Sequence, residues 1–136
     1  MSAFFQLLLL VLMLNNLLLA GVVRLASLIR QVAVQHTAGQ MGDELNAMVD
    51  QGCTVLDVIV EHPVYGQLTG PLQLSNRYQV GQFIARCQKE DAAPLSLLTE
   101  GIHLHTISCP DQAAYERAQA SLRTMGLLLE ESDTGS

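Results

Sequence analysis

Three histidines and one glutamate are the residues of this chain best suited to bind a metal ion. His103 and His105 form an H-x-H pair within a predicted strand, so both imidazoles point to the same face, roughly 7 Å apart along the backbone. His36 ends another predicted strand, and Glu44 lies about two turns into the helix that follows it. Three imidazoles and one carboxylate are a suitable ligand set for Zn, Ni, Fe or Mn. A strand histidine is more often a hydrogen-bonded structural residue, so spacing alone leaves both interpretations open.

The other reactive side chains give weaker indications. The sequence contains no G-x-S-x-G, P-loop or G-x-G-x-x-G motif. Cys87 lies on a predicted helix without a placed base, and Cys53 and Cys109 fall in apolar runs typical of small buried side chains. Glu61 beside His62 fits either acid–base chemistry or a polar turn.

Alternating and helical apolar patterns predict the elements that position these residues. Strands are expected over residues 30–36, 53–61, 67–74, 102–109 and 127–130. The third strand contains Gly70-Pro71 and should lie at a sheet edge or carry a bulge. Three helices are predicted, beginning at a Thr37/Gln40 capping box, at a Ser75 cap and at an Asp111 cap. This order predicts an α+β fold, a two-layer sandwich with a mostly antiparallel sheet and helices on one face.

An apolar N-terminal helix is expected to precede this domain. Residues 4–23 are long enough to cross a bilayer, although Asn15 and Asn16 interrupt them. Arg24 and Arg30 follow, which would keep the next domain in the cytoplasm. A membrane helix, a helix buried on a partner chain and a remnant of a larger protein remain alternatives. The predicted organisation is a leader at 1–29, a ligand-binding domain at 30–131 and a disordered tail at 132–136.

Charge argues against direct nucleic-acid binding. The net charge is −6, from 7 basic and 13 acidic residues. Nucleic-acid binders usually carry a basic stripe that neutralises phosphates, and no such stripe is evident here.

The sequence contains the strings DELNAMVDQG, EHPVYG, LSNRY and GIHLHTI. These strings resemble the 3H domain, the sensor half of nicotinate-responsive transcription repressors, and the resemblance covers about residues 30–130. It implies an HPr-like sandwich fold and a metal site at His36, Glu44, His103 and His105.

The resemblance also suggests a nicotinate pocket, with further candidate ligand-binding residues at His62, Tyr65 and Arg77. Arg77 could hold a carboxylate bidentately, or it could be a solvated charge at a helix start. One departure is that the family's helix-turn-helix should occupy the space where the apolar leader stands. Regulation would then require a homodimer or pairing with a full-length repressor.

The favoured hypothesis is a non-enzymatic, metal-dependent sensor of nicotinic acid, linked to transcription control of NAD biosynthesis or niacin uptake. A membrane-tethered binding module is the alternative, and a small metalloenzyme is the least favoured. We expect a cytoplasmic protein or, if the leader spans, a membrane-anchored one that faces the cytoplasm.

Overall fold

An antiparallel sheet forms the centre of the molecule. The computed structural model describes residues 2–13, 27–90 and 93–130. Within these ranges four strands pair in the order β1–β4–β2–β3. Their bounds are β1 (Leu28–Gln35), β2 (Thr54–His62), β3 (Gly66–Leu74) and β4 (Ile102–Cys109).

The helices of the described residues follow the predicted order. They are α1 (residues 3–13), α2 (Met41–Val49), α3 (Arg77–Lys89) and α4 (Gln112–Thr124), with short 3-10 turns at Ala38–Gln40 and Leu95–Thr99. α2 contacts both α3 and α4, and these helices share one hydrophobic core with the sheet. The predicted α+β fold, with an antiparallel sheet and a preceding apolar helix, is therefore confirmed.

The core lies between the sheet and the helices. Alternate residues of β4 are buried, and Ile107 belongs to one apolar cluster with Val34 of β1 and with Leu45 and Met48 of α2. Ala118 and Leu122 of α4 complete this layer. Burial of this continuous apolar surface fixes the strand register, since a slip of one residue would turn each strand's apolar side outward.

Several local predictions are confirmed and two are corrected. β3 lies at the sheet edge, and the β2–β3 register shifts between Val55 and Asp57, opposite Pro71. The cap of α3 is Asn76, whose side chain accepts a hydrogen bond from the backbone N–H of Gln79, instead of Ser75. The predicted last strand is reduced to a single bridge between residues 34 and 128.

The apolar leader is described only in part. Every side chain of α1 is exposed. The predicted membrane segment 4–23 extends into residues 14–23, and these, like the predicted tail at 132–136, lie outside the described residues. Among the helices that are described, none combines the length and apolar character that a membrane span requires.

Candidate metal centre and ligand cavity

β4 places His103 and His105 side by side on the core face of the sheet. Both are almost fully buried, at 3% exposure each. In the antiparallel register with β1, His103 pairs with Val34 and His105 pairs with Val32. The two Nε2 atoms lie 3.1 Å apart. The same-face geometry predicted from the H-x-H spacing is therefore present.

Backbone carbonyl groups orient these two rings. The Nδ1 of His103 lies 2.9 Å from the carbonyl oxygen of Gly101, and the Nδ1 of His105 lies 2.7 Å from that of Asp57. A carbonyl oxygen can only accept, so each Nδ1 carries the proton and donates it. Each Nε2 then presents a lone pair to the interior when the ring is neutral. Metal-binding histidines usually have this second hydrogen bond, which fixes the tautomer and the ring orientation.

His36 approaches from the end of β1 with the same arrangement. Its Nδ1 donates to the carbonyl oxygen of Thr37, and its ring packs edge-on against His103 with centroids 4.8 Å apart. The turn that follows is held by Gln40, whose side-chain oxygen accepts a hydrogen bond from the Thr37 backbone N–H at 3.0 Å. The chain thus reverses directly after His36 and enters α2.

Glu44 of α2 brings a carboxylate into the space between the three rings. It is fully buried. Its Oε1 lies 2.8 Å from the Nε2 of His103 and also contacts the Nε2 of His105. Its Oε2 contacts the Nε2 of His36, but this oxygen has no partner with hydrogen-bond geometry. Four side chains, two from β4, one from α2 and one from the residue that follows β1, therefore converge on one point.

The cluster strongly favours the ionised form of Glu44. Burial by itself would raise the pKa of this carboxyl, but the contacts with His103, His105 and His36 outweigh it and hold the pKa far below 4.5. Burial opposes protonation of His36, yet its contacts with Glu44 raise the pKa of that imidazole above 6.5. The buried carboxylate therefore stabilises the protonated form of His36.

The arrangement fits a metal ion. Donor atoms of His36, Glu44 and His103 all lie within 4.8 Å of one another, and the Nε2 of His105 adjoins them. With their Nδ1 protons engaged, neutral imidazoles direct only lone pairs at each other and at the carboxylate. Such a set of lone pairs needs a cation among them, either a proton or a metal. Three imidazoles and a carboxylate could hold a divalent transition metal ion.

A cavity of about 230 Å³ adjoins the cluster. The three histidines and Glu44 form one wall, and most of the remaining wall is apolar. The other lining residues are Met41, Leu45, Val58, Gly70, Pro71, Leu72, Phe83, Cys87, Ala93, Pro94 and Leu95. No lysine or arginine occurs among these described lining residues. The cavity is therefore an apolar slot with one polar end.

The 3H domain family matches residues 29–131. The chain belongs to the 3H domain family. Its sequence is 41% identical over 102 residues to the transcription repressor NadR of Bacillus subtilis, covering 75% of this chain and 57% of that protein. It is 40% identical over 102 residues to the probable transcription repressor NiaR of Thermotoga maritima, covering 75% and 58% respectively. The chain thus spans somewhat more than half the length of these two relatives.

The other three predicted ligand-binding residues of this 3H domain lie elsewhere. His62 closes the β2–β3 hairpin, where its Nδ1 accepts hydrogen bonds from the backbone N–H groups of Val64 and Tyr65. Tyr65 stacks on His62 and is 74% exposed. Arg77 makes a bidentate pair with Asp50 on the surface. The structure brings together the four predicted metal ligands, but it places none of these three on the cavity wall.

The cavity wall contains residues that sequence reasoning did not single out for the site. Phe83 and Cys87 lie one helical turn apart on α3, and both line the cavity. Pro71, which the sequence indicates only as a feature of an edge strand, and Pro94 also line it. The helical spacing of Phe83 and Cys87 is a signal that they share a face, but nothing in the sequence shows that this face adjoins Glu44.

Proposed function

We propose that this chain is a metal-dependent sensor domain that binds nicotinic acid, or a similar small pyridine carboxylate. His36, Glu44, His103 and His105 would hold one divalent ion (Ni, Zn, Fe or Mn). The observation that carries the proposal is the convergence of these four side chains at one end of an apolar cavity.

Charge in the cavity supports the dependence on metal. The ligand's carboxylate is anionic near neutral pH, and the described lining residues include no lysine or arginine. The buried Glu44 carboxylate would repel a second anion. A bound metal ion would supply the positive charge that the ligand needs. The same ion would be held by histidine rings whose Nδ1 atoms are already fixed by backbone carbonyls.

The size and the walls of the cavity support a small aromatic ligand. At about 230 Å³ the cavity is smaller than the roughly 300–1,000 Å³ typical of sites for drug-sized molecules. Phe83, Pro71 and Leu72 offer apolar surface on which a flat ring can pack. The ring of such a ligand would pack on the apolar walls, and its single carboxylate would lie at the polar end formed by the histidines and Glu44.

The regulatory part of the proposal comes from the relatives. Both are named as transcription repressors, and each is longer than this chain. By analogy, ligand binding here would take part in the control of transcription, in a homodimer or in assembly with a full-length repressor. Glu61, the candidate acid–base residue of the enzymatic alternative, is exposed and does not line the cavity.

Calorimetric titration of the full chain with nicotinic acid tests the proposal. The protein is titrated after loading with Ni²⁺ or Zn²⁺ and again after treatment with a chelator. Nicotinamide serves as the ligand without a carboxylate, and benzoic acid as the ligand without the ring nitrogen. We expect nicotinic acid to bind the metal-loaded protein and to lose binding with the chelator, and we expect nicotinamide to bind the metal-loaded protein much more weakly than nicotinic acid.

Matched variants separate the metal from the cavity. His103→Ala should abolish metal and nicotinate binding together, whereas Phe83→Ala should weaken nicotinate and leave metal binding intact. His62→Ala changes a histidine of the exposed hairpin, so both affinities should be unchanged. Nicotinate binding that persists in the chelated protein, or that is absent from every metal-loaded form, would exclude the proposed mechanism.

A further inference from the structure

Two cysteines meet in the core at the end of the β2–β4 pair remote from the histidine cluster. Cys109 is the last residue of β4, and Cys53 immediately precedes β2. Since Thr54 pairs with Ser108, Cys53 lies directly opposite Cys109. Their Sγ atoms are 2.8 Å apart, and both side chains are fully buried.

The backbone at this position already suits a covalent link. Residues directly opposite each other in an antiparallel pair have Cα atoms about 4.5–5.5 Å apart. Disulfides span Cα separations of about 4.4–6.8 Å, so neither strand would have to move far. The sulfur atoms lie between bonding distance and an ordinary non-bonded contact. Residues packed only to fill space do not require their sulfurs to approach so closely.

We propose that Cys53 and Cys109 form a thiol–disulfide site, oxidised by a low-molecular-weight disulfide such as oxidised glutathione. One cysteine thiolate attacks the oxidant, forms a mixed disulfide and releases one glutathione. The second cysteine then attacks the protein sulfur of that mixed disulfide and releases the second glutathione. The pair loses two protons and two electrons, and two molecules of reduced glutathione are formed.

Burial makes this site slow to react in the closed domain. Removal from solvent raises the pKa of the Cys53 thiol to about 12 and also raises that of Cys109. The thiolate is the reactive form, so exchange requires a transient opening of the sheet end. Once formed, the cystine is shielded from reductants by the same burial. The disulfide would therefore form slowly, under sustained oxidation, and would be reduced slowly once formed.

The disulfide would covalently link β2 and β4, the two strands that position His105. β4 carries the ring, and β2 supplies the Asp57 carbonyl that accepts its Nδ1 proton. The cystine would also close a loop between positions 56 residues apart, which restricts the unfolded chain. On the chain-entropy relation, we expect the Tm to rise on the order of 10 °C.

The test uses full-length protein with the third, half-buried cysteine removed by Cys87→Ser. The variant is incubated with oxidised glutathione in native buffer and in urea below its unfolding midpoint. We expect an intact mass lower by two hydrogen atoms, a tryptic peptide pair joined through Cys53 and Cys109, and a higher Tm that returns to its starting value after reduction in urea, which opens the domain. Mild urea should accelerate the reaction because it increases opening.

Two outcomes would overturn the proposal. One is a stable glutathione adduct on either cysteine without the joined peptides, and the other is two free thiols after oxidation under both conditions. A Cys53→Ala, Cys87→Ser double variant is the matched control and should stop at the mixed disulfide. If that variant does not fold, the peptide map of the Cys87→Ser protein still decides the question.

Discussion

Two carboxylates of one helical segment, Glu44 in α2 and Asp50 at its C-terminal cap, have opposite environments. Glu44 is fully buried among three imidazoles, whereas Asp50 lies at the surface in a bidentate pair with Arg77. Both carboxyl groups have a pKa held below the ordinary value by their partners, despite an opposing effect of burial. Attraction to neighbouring groups alone therefore does not distinguish a site from a surface contact.

The difference lies in what fixes the partners. The imidazoles around Glu44 are held by backbone carbonyls of residues 37, 57 and 101, so their positions do not depend on the carboxylate. Arg77 is 67% exposed, and solvent and salt screen its pair with Asp50. A preorganised, water-excluded group of donors can bind a metal ion, whereas a screened surface pair is worth little.

The largest effect should come from Glu44→Gln, which keeps the shape of the side chain and removes its charge. Loss of a residue that only supports a metal ligand typically costs about 10–100-fold in affinity, so loss of a ligand should cost at least about 100-fold. Titration of Ni²⁺ or Zn²⁺ into the purified variant measures it. Asp50→Asn is the matched control and should bind metal like the unmodified protein. Equal metal affinity in the two variants would remove the distinction between the carboxylates.

The second largest effect is expected from Gly101→Ala. Gly101 has a φ of +84°, and an added Cβ would collide with the backbone oxygen of His36. The backbone would have to shift at the residue whose carbonyl oxygen accepts the hydrogen bond from the Nδ1 of His103. Metal affinity should fall by roughly 10–100-fold, with a loss of thermal stability.

Gly126→Ala provides the control for backbone strain alone. Gly126 has a φ of +72°, but an added Cβ meets no atom within 4 Å. This substitution should cost about 1–2 kcal/mol of unfolding free energy and leave metal affinity unchanged. A metal affinity of Gly101→Ala as high as that of Gly126→Ala would show that the carbonyl does not position His103.

A smaller effect is expected from pH on the metal-free protein. The raised pKa of His36 gives a stabilising contribution that is complete below pH 6.5 and is lost as pH rises through the folded-state value. The lowered pKa of Glu44 gives a contribution that is complete above pH 4.5 and is lost as pH falls through its folded-state value. Thermal unfolding should therefore show highest stability between pH 4.5 and 6.5.

Glu44→Gln should reduce the loss of Tm at pH values below 4.5 and also the loss at pH values above 6.5. The charged partner of His36 and the titrating carboxyl are removed together, so the Tm should vary less across the same range. A variant profile that keeps the shape of the unmodified protein would assign the pH dependence to other groups.

The smallest effect is predicted for Arg77→Ala. The pair with Asp50 lies on the surface, so the Tm should change little and the change should decrease further with added salt. Nicotinate titration of the same variant also tests the earlier prediction that Arg77 contacts the ligand. Reduced nicotinate affinity without reduced metal affinity would show that Arg77 contributes to ligand binding and is more than a surface ion pair.

The strands and helices could be predicted because apolar periodicity reports directly on burial. β4 has the bounds expected from its alternation, and the 3-10 turn before α2 begins after the predicted Thr37 cap. The last strand was overpredicted. The apolar run of residues 127–129 indicates a partly buried segment, but it does not show how many backbone pairs form, and only Leu128 bridges to Val34.

The side chains of the site were more predictable than its supports. H-x-H spacing and the family resemblance identified the four side chains that converge. The groups that orient the rings are backbone carbonyls, which every residue carries, so residue types gave no indication of Thr37, Asp57 or Gly101. Likewise, Phe83 reaches the cavity through the packing of α3 against α2, which depends on the tertiary fold.

The bridge at Leu128 also bears on how the sheet meets other molecules. Gln35 donates its backbone N–H to Leu127, and Leu129 donates to the carbonyl of Ala33, so the final segment occupies part of the free edge of β1. At the opposite edge, Pro71 removes a backbone donor from β3. Both edges are thus poor templates for another strand. The fold therefore disfavours the edge-to-edge growth that leads to aggregation.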